Sequence, residues 1–239
     1  VERRLVKAMI LAAGLGERMR PLTDHTPKPL LRVGGSALIE YHIERLAREG
    51  FRELVINVSH LGEQIVNFCG DGNRWGLAIE YSHEEAPLET AGGIVKALPL
   101  LGQEPFLVVN GDIWIDYPFG ALLPHAKKLG DCARLVMVDN PPQHPLGDFL
   151  LDDAGLLRVR PQQKSGLTYA GVGLFAPGFF EGLTADKLPL RPLLDAAIER
   201  SCLSGEYHCG RWEDVGTPER LRALDAELSG RAGLEISEN

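Results

Sequence analysis

The chain lacks any apolar run near the ~20 residues that a membrane span requires, so no membrane partner is expected. Clustered positive charge is missing too. The formal net charge is −8, which argues against a surface that coats nucleic acid, because such surfaces draw affinity from grouped Lys and Arg. A small anionic ligand in a local cationic pocket stays compatible with that balance. Cysteine is sparse. Cys69, Cys132, Cys202 and Cys209 are the 4 cysteines in 239 residues, with no C-x-x-C pair and no His/Cys spacing typical of zinc. They read as buried or idle thiols in a cytosolic, disulfide-poor setting. The N-terminal VERRLVKAMI runs into a strand and a glycine loop rather than a cleavable signal region, so a cytoplasmic location is expected. Repeats and low-complexity linkers are also absent.

What remains is ordinary globular composition, 44% hydrophobic and 24% charged, in a length that suits one α/β domain. Residues 8–31, AMILAAGLGERMRPLTDHTPKPLL, hold the densest chemistry. Ala8 to Ala13 is apolar without alternation, as in a central parallel strand covered on both faces. Gly14 and Gly16 break it, freeing backbone N–H groups to close around an anionic or planar ligand. Arg18, Arg20 and Lys28 follow, the last between two prolines that stiffen its backbone. The dinucleotide pattern G-x-G-x-x-G fails at Met19, and no Gly-Lys-Ser/Thr closes a P-loop. Isolated cations are usually solvated surface, but three flanking a glycine turn outline a polyphosphate site.

The following segments alternate. Ser36 to Gly50 has helical apolar spacing, Glu53 to Ser59 reads as a strand, Leu61 to Cys69 as a short helix and Leu77 to Ser82 as a strand. Thr90 to Leu101 reads as a helix and Pro105 to Asn110 as a strand ending at Gly111-Asp112. This order predicts a Rossmann-like, mainly parallel sheet flanked by helices, with right-handed crossovers. Ligands bind beyond the carboxyl ends of such strands, so the Gly14 loop, Asn57 and Asn110-Gly111-Asp112 should share one edge. Glu89-Thr90-Ala91-Gly92-Gly93 opens a helix whose N–H groups could meet an anion or a base edge, and a simple cap with a tight turn fits equally. The later half is less regular. Ala133 to Asp139, Phe149 to Leu151 with Leu157 to Val159 as a hairpin, Thr168 to Phe175, and Tyr207 to Trp212 read as strands, with helices at Leu193 to Arg200 and Pro218 to Leu228. An inserted antiparallel or mixed region is implied, giving a single domain with halves at about 7–130 and 131–228.

Asp112, next to Gly111, and Asp214, two residues before Gly216, each follow a predicted strand, where a carboxylate can project into a cleft. Such carboxylates suit Mg²⁺, which takes one or two of them with phosphates and water. Asp and Gly are also ordinary turn formers, and Gly70-Asp71-Gly72 is assigned to a turn.

Leu11 to Leu30 closely resembles the signature of the sugar-1-phosphate nucleotidyltransferases, G-x-G-x-R-M/L-x-P-L-T followed by P-K-P-L. VVNGD at 108–112 and WEDVGTP at 212–218 resemble that family's two metal-binding motifs, so the resemblance runs along essentially the whole chain. It implies a Mg²⁺-dependent transfer between two small molecules, a nucleoside triphosphate and a sugar 1-phosphate, with Arg18 and Lys28 as the catalytic cations and Asp112 and Asp214 on the metal. It further implies a nucleotide site at Ala12, Ala13, Gly14, Gly16, Glu17, Asn57, Thr90 and Gly92. The sugar is expected at Asn110, Asp148, Tyr169 and Gly171, in a region that closes over the sugar phosphate, although core packing for Tyr169 and a turn role for Asp148 fit equally. PLETAGGI and NGDIWIDY look most like the branch that uridylylates N-acetylmuramic acid 1-phosphate in bacterial cell-wall recycling. Mannose-1-phosphate guanylyltransferases share most of these motifs, and a non-catalytic nucleotide-sugar binding module stays open as a different class. A monomer or small homo-oligomer is expected.

Overall fold

The computed structural model describes residues 6–237. Its strands and helices are, in chain order, β1 (Ala8–Leu11), β2 (Arg32–Val33), β3 (Ser36–Ala37), α1 (Leu38–Arg48), β4 (Glu53–Val58), α2 (Gly62–Cys69), β5 (Ala78–His83), α3 (Glu89–Leu101), β6 (Phe106–Asn110) and β7 (Ile113–Ile115). The second half adds β8 (Ala133–Val138), β9 (Phe149–Leu151), β10 (Leu157–Val159), β11 (Thr168–Phe175), α4 (Arg191–Glu199), β12 (Leu203–Tyr207), β13 (Trp212–Asp214) and α5 (Pro218–Ser237). A seven-stranded sheet in the order β12-β8-β11-β6-β1-β4-β5 forms the frame. Every neighbouring pair is parallel except the two made by β11. The Rossmann-like, mainly parallel sheet expected from the sequence is therefore present.

Both faces of that sheet are covered, which explains why β1 shows no alternation. Ala8 and Ile10 point into one core with Ile39, Ile43 and Leu46 of α1, while Met9 joins the opposite core with Ile94 and Ala97 of α3. Burying such side chains on both faces contributes roughly 1.5–3 kcal/mol each. A third cluster, in which Met19, Leu31, Trp114, Val215 and Leu224 meet, ties the glycine loop to α5.

Three local expectations need correction. First, β1 stops at Leu11 rather than Ala13, because the Ala12 N–H is bonded to the Asn57 side chain at 2.8 Å instead of a strand. Second, residues 207–212 are not one strand. Tyr207 ends β12, and Trp212 opens β13, which pairs outside the main sheet with β7. Third, Cys132 and Cys202 are disulfide-bonded, not idle thiols. Parallel pairing sets Ala133 against Leu203, so the cysteines preceding each strand lie side by side. Cys69 is buried, and burial pushes its thiol up to about 12, whereas Cys209 is exposed. Among the described residues no helix is long and apolar enough to cross a membrane.

Candidate active site

The carboxyl ends of β1, β4 and β6 meet in register, with Leu11 opposite both Asn57 and Asn110. A cleft of about 780 Å³ opens there. Its wall includes Ala12, Ala13, Gly14, Gly16, Glu17, Arg18, Lys28, Asn57, Thr90, Asn110 and Asp112, all singled out in the sequence.

The glycine loop is held from below. Thr23 donates its hydroxyl to the Gly16 carbonyl at 2.8 Å, and Gly16 has φ +65°. A Cβ there would lie 2.9 Å from the Thr23 methyl, so both backbone sign and space require glycine. Arg18 is exposed and makes no hydrogen bond or ion pair among the described residues, leaving its guanidinium available to an anion. Lys28 differs. It is buried, and its Nζ donates to Asp112 Oδ2 at 2.6 Å.

Asn57 and Glu84 tie the two rims together. Asn57 Oδ1 accepts from the Ala12 N–H at 2.8 Å, and its Nδ2 donates to Glu84 Oε1 at 2.7 Å. Glu84 Oε2 in turn accepts from the Leu88 N–H at 2.9 Å. Both side chains are buried and mutually satisfied, as buried polar groups require. Asn57 thus fixes the start of the glycine loop at Ala12. Glu84 escaped sequence reasoning because its role exists through contacts to Asn57 of β4 and to the Leu88 N–H, which no local pattern announces.

Beside the first cavity lies a smaller one of about 300 Å³, which shares Glu89, Thr90 and Asn110 with it. Asp148 and Tyr169 line this second space. Asp148 Oδ2 accepts from the Tyr169 N–H at 2.8 Å, and Oδ1 lies 3.2 Å from His144 Nε2. Burial pushes the Tyr169 hydroxyl upward in pKa, so the phenol stays neutral at any ordinary pH.

Gly92, Gly171 and Asp214 line neither cavity. The N–H groups of Ala91 and Gly92 both donate to the Leu188 carbonyl, at 3.0 and 3.1 Å, so at these two positions α3 has no free donors for a ligand. A Cβ on Gly92 would fall 2.0 Å from the Asp186 carbonyl oxygen, which makes this glycine a packing requirement. Gly171 sits at the irregularity of β11, with φ +78°, and gives room to the Asn110 side chain. It therefore acts on the wall through Asn110.

Asp214 pairs with Ile113, and the Val215 N–H donates to the Asp112 carbonyl at 3.0 Å. Two carboxylates distant in sequence are thus brought to neighbouring backbone positions. Asp214 Oδ2 accepts from Arg220 at 2.7 Å, and Gly216 of the same turn lines the large cleft. The β7–β13 ribbon lies outside the main sheet, and α1 satisfies carbonyls along it. The neutral His42 ring donates to the Ile113 carbonyl at 2.9 Å, and Arg45 donates to the Ile115 and Tyr117 carbonyls. Lys187 and Arg191 are further wall residues that sequence reasoning missed, and Glu89, read there only as part of a helix opening, lines both cavities.

Comparison with known proteins fits this geometry. The family model described as nucleotidyl transferase matches residues 7–229. An N-acetylmuramate alpha-1-phosphate uridylyltransferase of Neisseria meningitidis serogroup B is 51% identical over 228 residues, covering 92% of this chain and 97% of that protein. A protein of the same name from Caulobacter vibrioides is 34% identical, covering 93% and 96%. The mannose-1-phosphate guanylyltransferase catalytic subunit beta of Dictyostelium discoideum is 32% identical, and the chain spans 62% of that longer protein. In fold, a Bacillus anthracis structure assigned as a glucose-1-phosphate thymidylyltransferase superposes with a TM-score of 0.83 at 20% identity, covering 94% of this chain and 95% of that one. With the family match running from residue 7 to residue 229, across every strand of the main sheet and both cavities, the chain belongs to the nucleotidyl transferase family.

Proposed function

We propose that the protein joins uridine triphosphate to N-acetylmuramic acid 1-phosphate, giving the uridine diphosphate sugar and pyrophosphate, in the cytoplasmic recycling of bacterial cell wall. The observation that carries the choice of substrates is the 51% identity to the Neisseria uridylyltransferase along nearly the full length of both chains. The guanylyltransferase relatives are less similar and longer.

A phosphate oxygen of the sugar 1-phosphate attacks the α-phosphorus in line, the bond to the β-phosphate breaks, and pyrophosphate leaves. The nucleophile needs no strong base, since the second pKa of a phosphomonoester is near ~6. Bringing two anions together is the main task, and it falls to charge and alignment. Arg18, free at the cleft mouth, meets the departing β- and γ-phosphates. Lys28 moves from Asp112 to the incoming phosphate and the α-phosphate. Ala12, Ala13 and Gly14 meet the base through backbone groups held by Asn57, with Glu17, Gly16 and Thr90 completing that wall. Asn110, Asp148 and Tyr169 hold the sugar, so residues of about 7–130 serve the nucleotide and 131–228 mainly the sugar.

The donor set suits Mg²⁺. Asp112 and Asp214 offer hard oxygens from neighbouring backbone positions, the first held by Lys28 and the second by Arg220. Mg²⁺ takes one or two carboxylates and keeps waters and substrate phosphates as its other ligands. Asp112 and Asp214 would hold it, and when bound it supplies positive charge against the reacting phosphates.

The test is pyrophosphate release from each nucleoside triphosphate paired with N-acetylmuramic acid, N-acetylglucosamine, glucose or mannose 1-phosphate, in Mg²⁺ and after EDTA. Release confined to uridine triphosphate with the muramic acid substrate, lost with EDTA and restored by Mg²⁺, is expected. Preference for guanosine triphosphate with mannose 1-phosphate would replace this reading, and silence with every pair would leave a binding module.

A further inference from the structure

N-acetylmuramic acid differs from N-acetylglucosamine by a lactyl ether, which adds one carboxylate and one methyl group. Resting on the reading above, we propose that Arg191 is the residue that recognises this carboxylate, making the smaller cavity selective for an acidic sugar.

The cavity's composition supports the assignment. Its charged residues are Glu89, Asp148 and Arg191, so Arg191 is its one cation among the described residues. Both carboxylates already have partners. Glu89 faces Lys187 at 3.7 Å, and Asp148 takes the Tyr169 N–H and lies against His144. Arg191 is fixed from behind. Its Nε donates to both oxygens of Asp195, at 2.9 and 3.0 Å, and its guanidinium lies over the Phe149 ring at 4.5 Å. Asp195 does not line the cavity. Neither Nη group donates a hydrogen bond among the described residues; Nη1 forms an ion pair with Asp148 Oδ1 at 3.7 Å, as long as the pair between Lys187 and Glu89 and beyond hydrogen-bond reach. A planar fork held by its edge, with no hydrogen bond yet made by its outer donors, is suited to a carboxylate that replaces the longer pair with Asp148. Phe149, Leu190 and Leu194 provide apolar surface beside it for the lactyl methyl. Shared walls at Glu89, Thr90 and Asn110 allow one sugar phosphate to reach from this pocket towards Lys28.

The test measures kcat and KM for N-acetylmuramic acid 1-phosphate, its lactyl methyl ester and N-acetylglucosamine 1-phosphate in the unaltered enzyme, R191Q and R191K. Hydrogen bonds to a charged group predict a fall in kcat/KM on the acid of about 10- to 100-fold in R191Q, mainly through KM. The preference for acid over ester should collapse towards one in R191Q and return in part in R191K. In the unaltered enzyme that preference should weaken with added salt, a readout that needs no variant. A preference for the acid that survives in R191Q, or equal losses on acid and ester, would overturn the proposal. An enzyme that transfers to no muramic acid substrate, yet uses another sugar 1-phosphate, would refute the underlying reading and remove this proposal with it.

Discussion

Lys28 and Asp112 occupy each other: the buried ammonium donates to the carboxylate at 2.6 Å, joining the residue expected on phosphate to the residue expected on metal. The two charges balance within this pair, and under the proposed function phosphate on Lys28 and a cation on Asp112 replace the contact.

Lys28→Met should lower kcat by about 100-fold or more while changing nucleotide KM far less, because the interaction with phosphate strengthens in the transition state. It should also tighten Mn²⁺ binding to the free protein, since the competing ammonium is gone. Steady-state kinetics and metal titration check both. Weaker Mn²⁺ binding in the variant would contradict the exchange.

Asn57→Leu removes the acceptor of the Ala12 N–H and the donor to buried Glu84 in one step. A loss of roughly 2–4 kcal/mol in urea unfolding is expected, as uncompensated buried polar groups cost that much. Nucleotide KM should rise as the loop loosens. A variant as stable as the parent would show that the buried link carries no weight.

Gly92→Ala separates packing from ligand binding. The added methyl would meet the Asp186 carbonyl oxygen at 2.0 Å and push the 186–188 segment away. Overpacking of this kind costs roughly 1–3 kcal/mol, so Tm should fall even without substrate. Unchanged Tm with weakened nucleotide binding would instead return Gly92 to the nucleotide site.

His42 predicts a pH dependence of stability. Burial holds its pKa down to about 4, against about 6.5 in the unfolded chain. Between these values the unfolded state binds more protons, so stability is full above about pH 6.5 and falls as pH drops towards 4. The contribution lost is about 3 kcal/mol. Replacing His42 with Gln should flatten this part of the profile. Equal slopes for both proteins between pH 6.5 and 4.5 would rule His42 out as the cause.

Much of this architecture is written locally. The bounds of β9, β10 and β11 follow from short apolar runs between turn residues, and the glycine loop, Lys28 and Asp112 carry recognisable strings. Features that depend on pairing across the fold are not readable in that way. The Cys132–Cys202 bond follows from the register of β8 with β12. Glu84 matters through Asn57, 27 residues away. Lys187 and Arg191 enter the cavity walls because Leu188 accepts from the start of α3, a contact without a sequence pattern. The packing of Gly92 is hidden for the same reason, since what fills the space beside it comes from residue 186.

The reversed direction of β11 separates two kinds of change. Because it runs against β6, its beginning, not its end, reaches the ligand edge, where Tyr169 lines the small cavity and Gly171 receives Asn110. The glycine loop, Asn57 and Asp112 stand on or after strands that run the other way. Under the proposed function, residues at the start of β11 and on the turn before α4 can therefore diverge to accept a new sugar while the phosphate machinery is inherited intact. A lineage could change what it activates without relearning how to activate it.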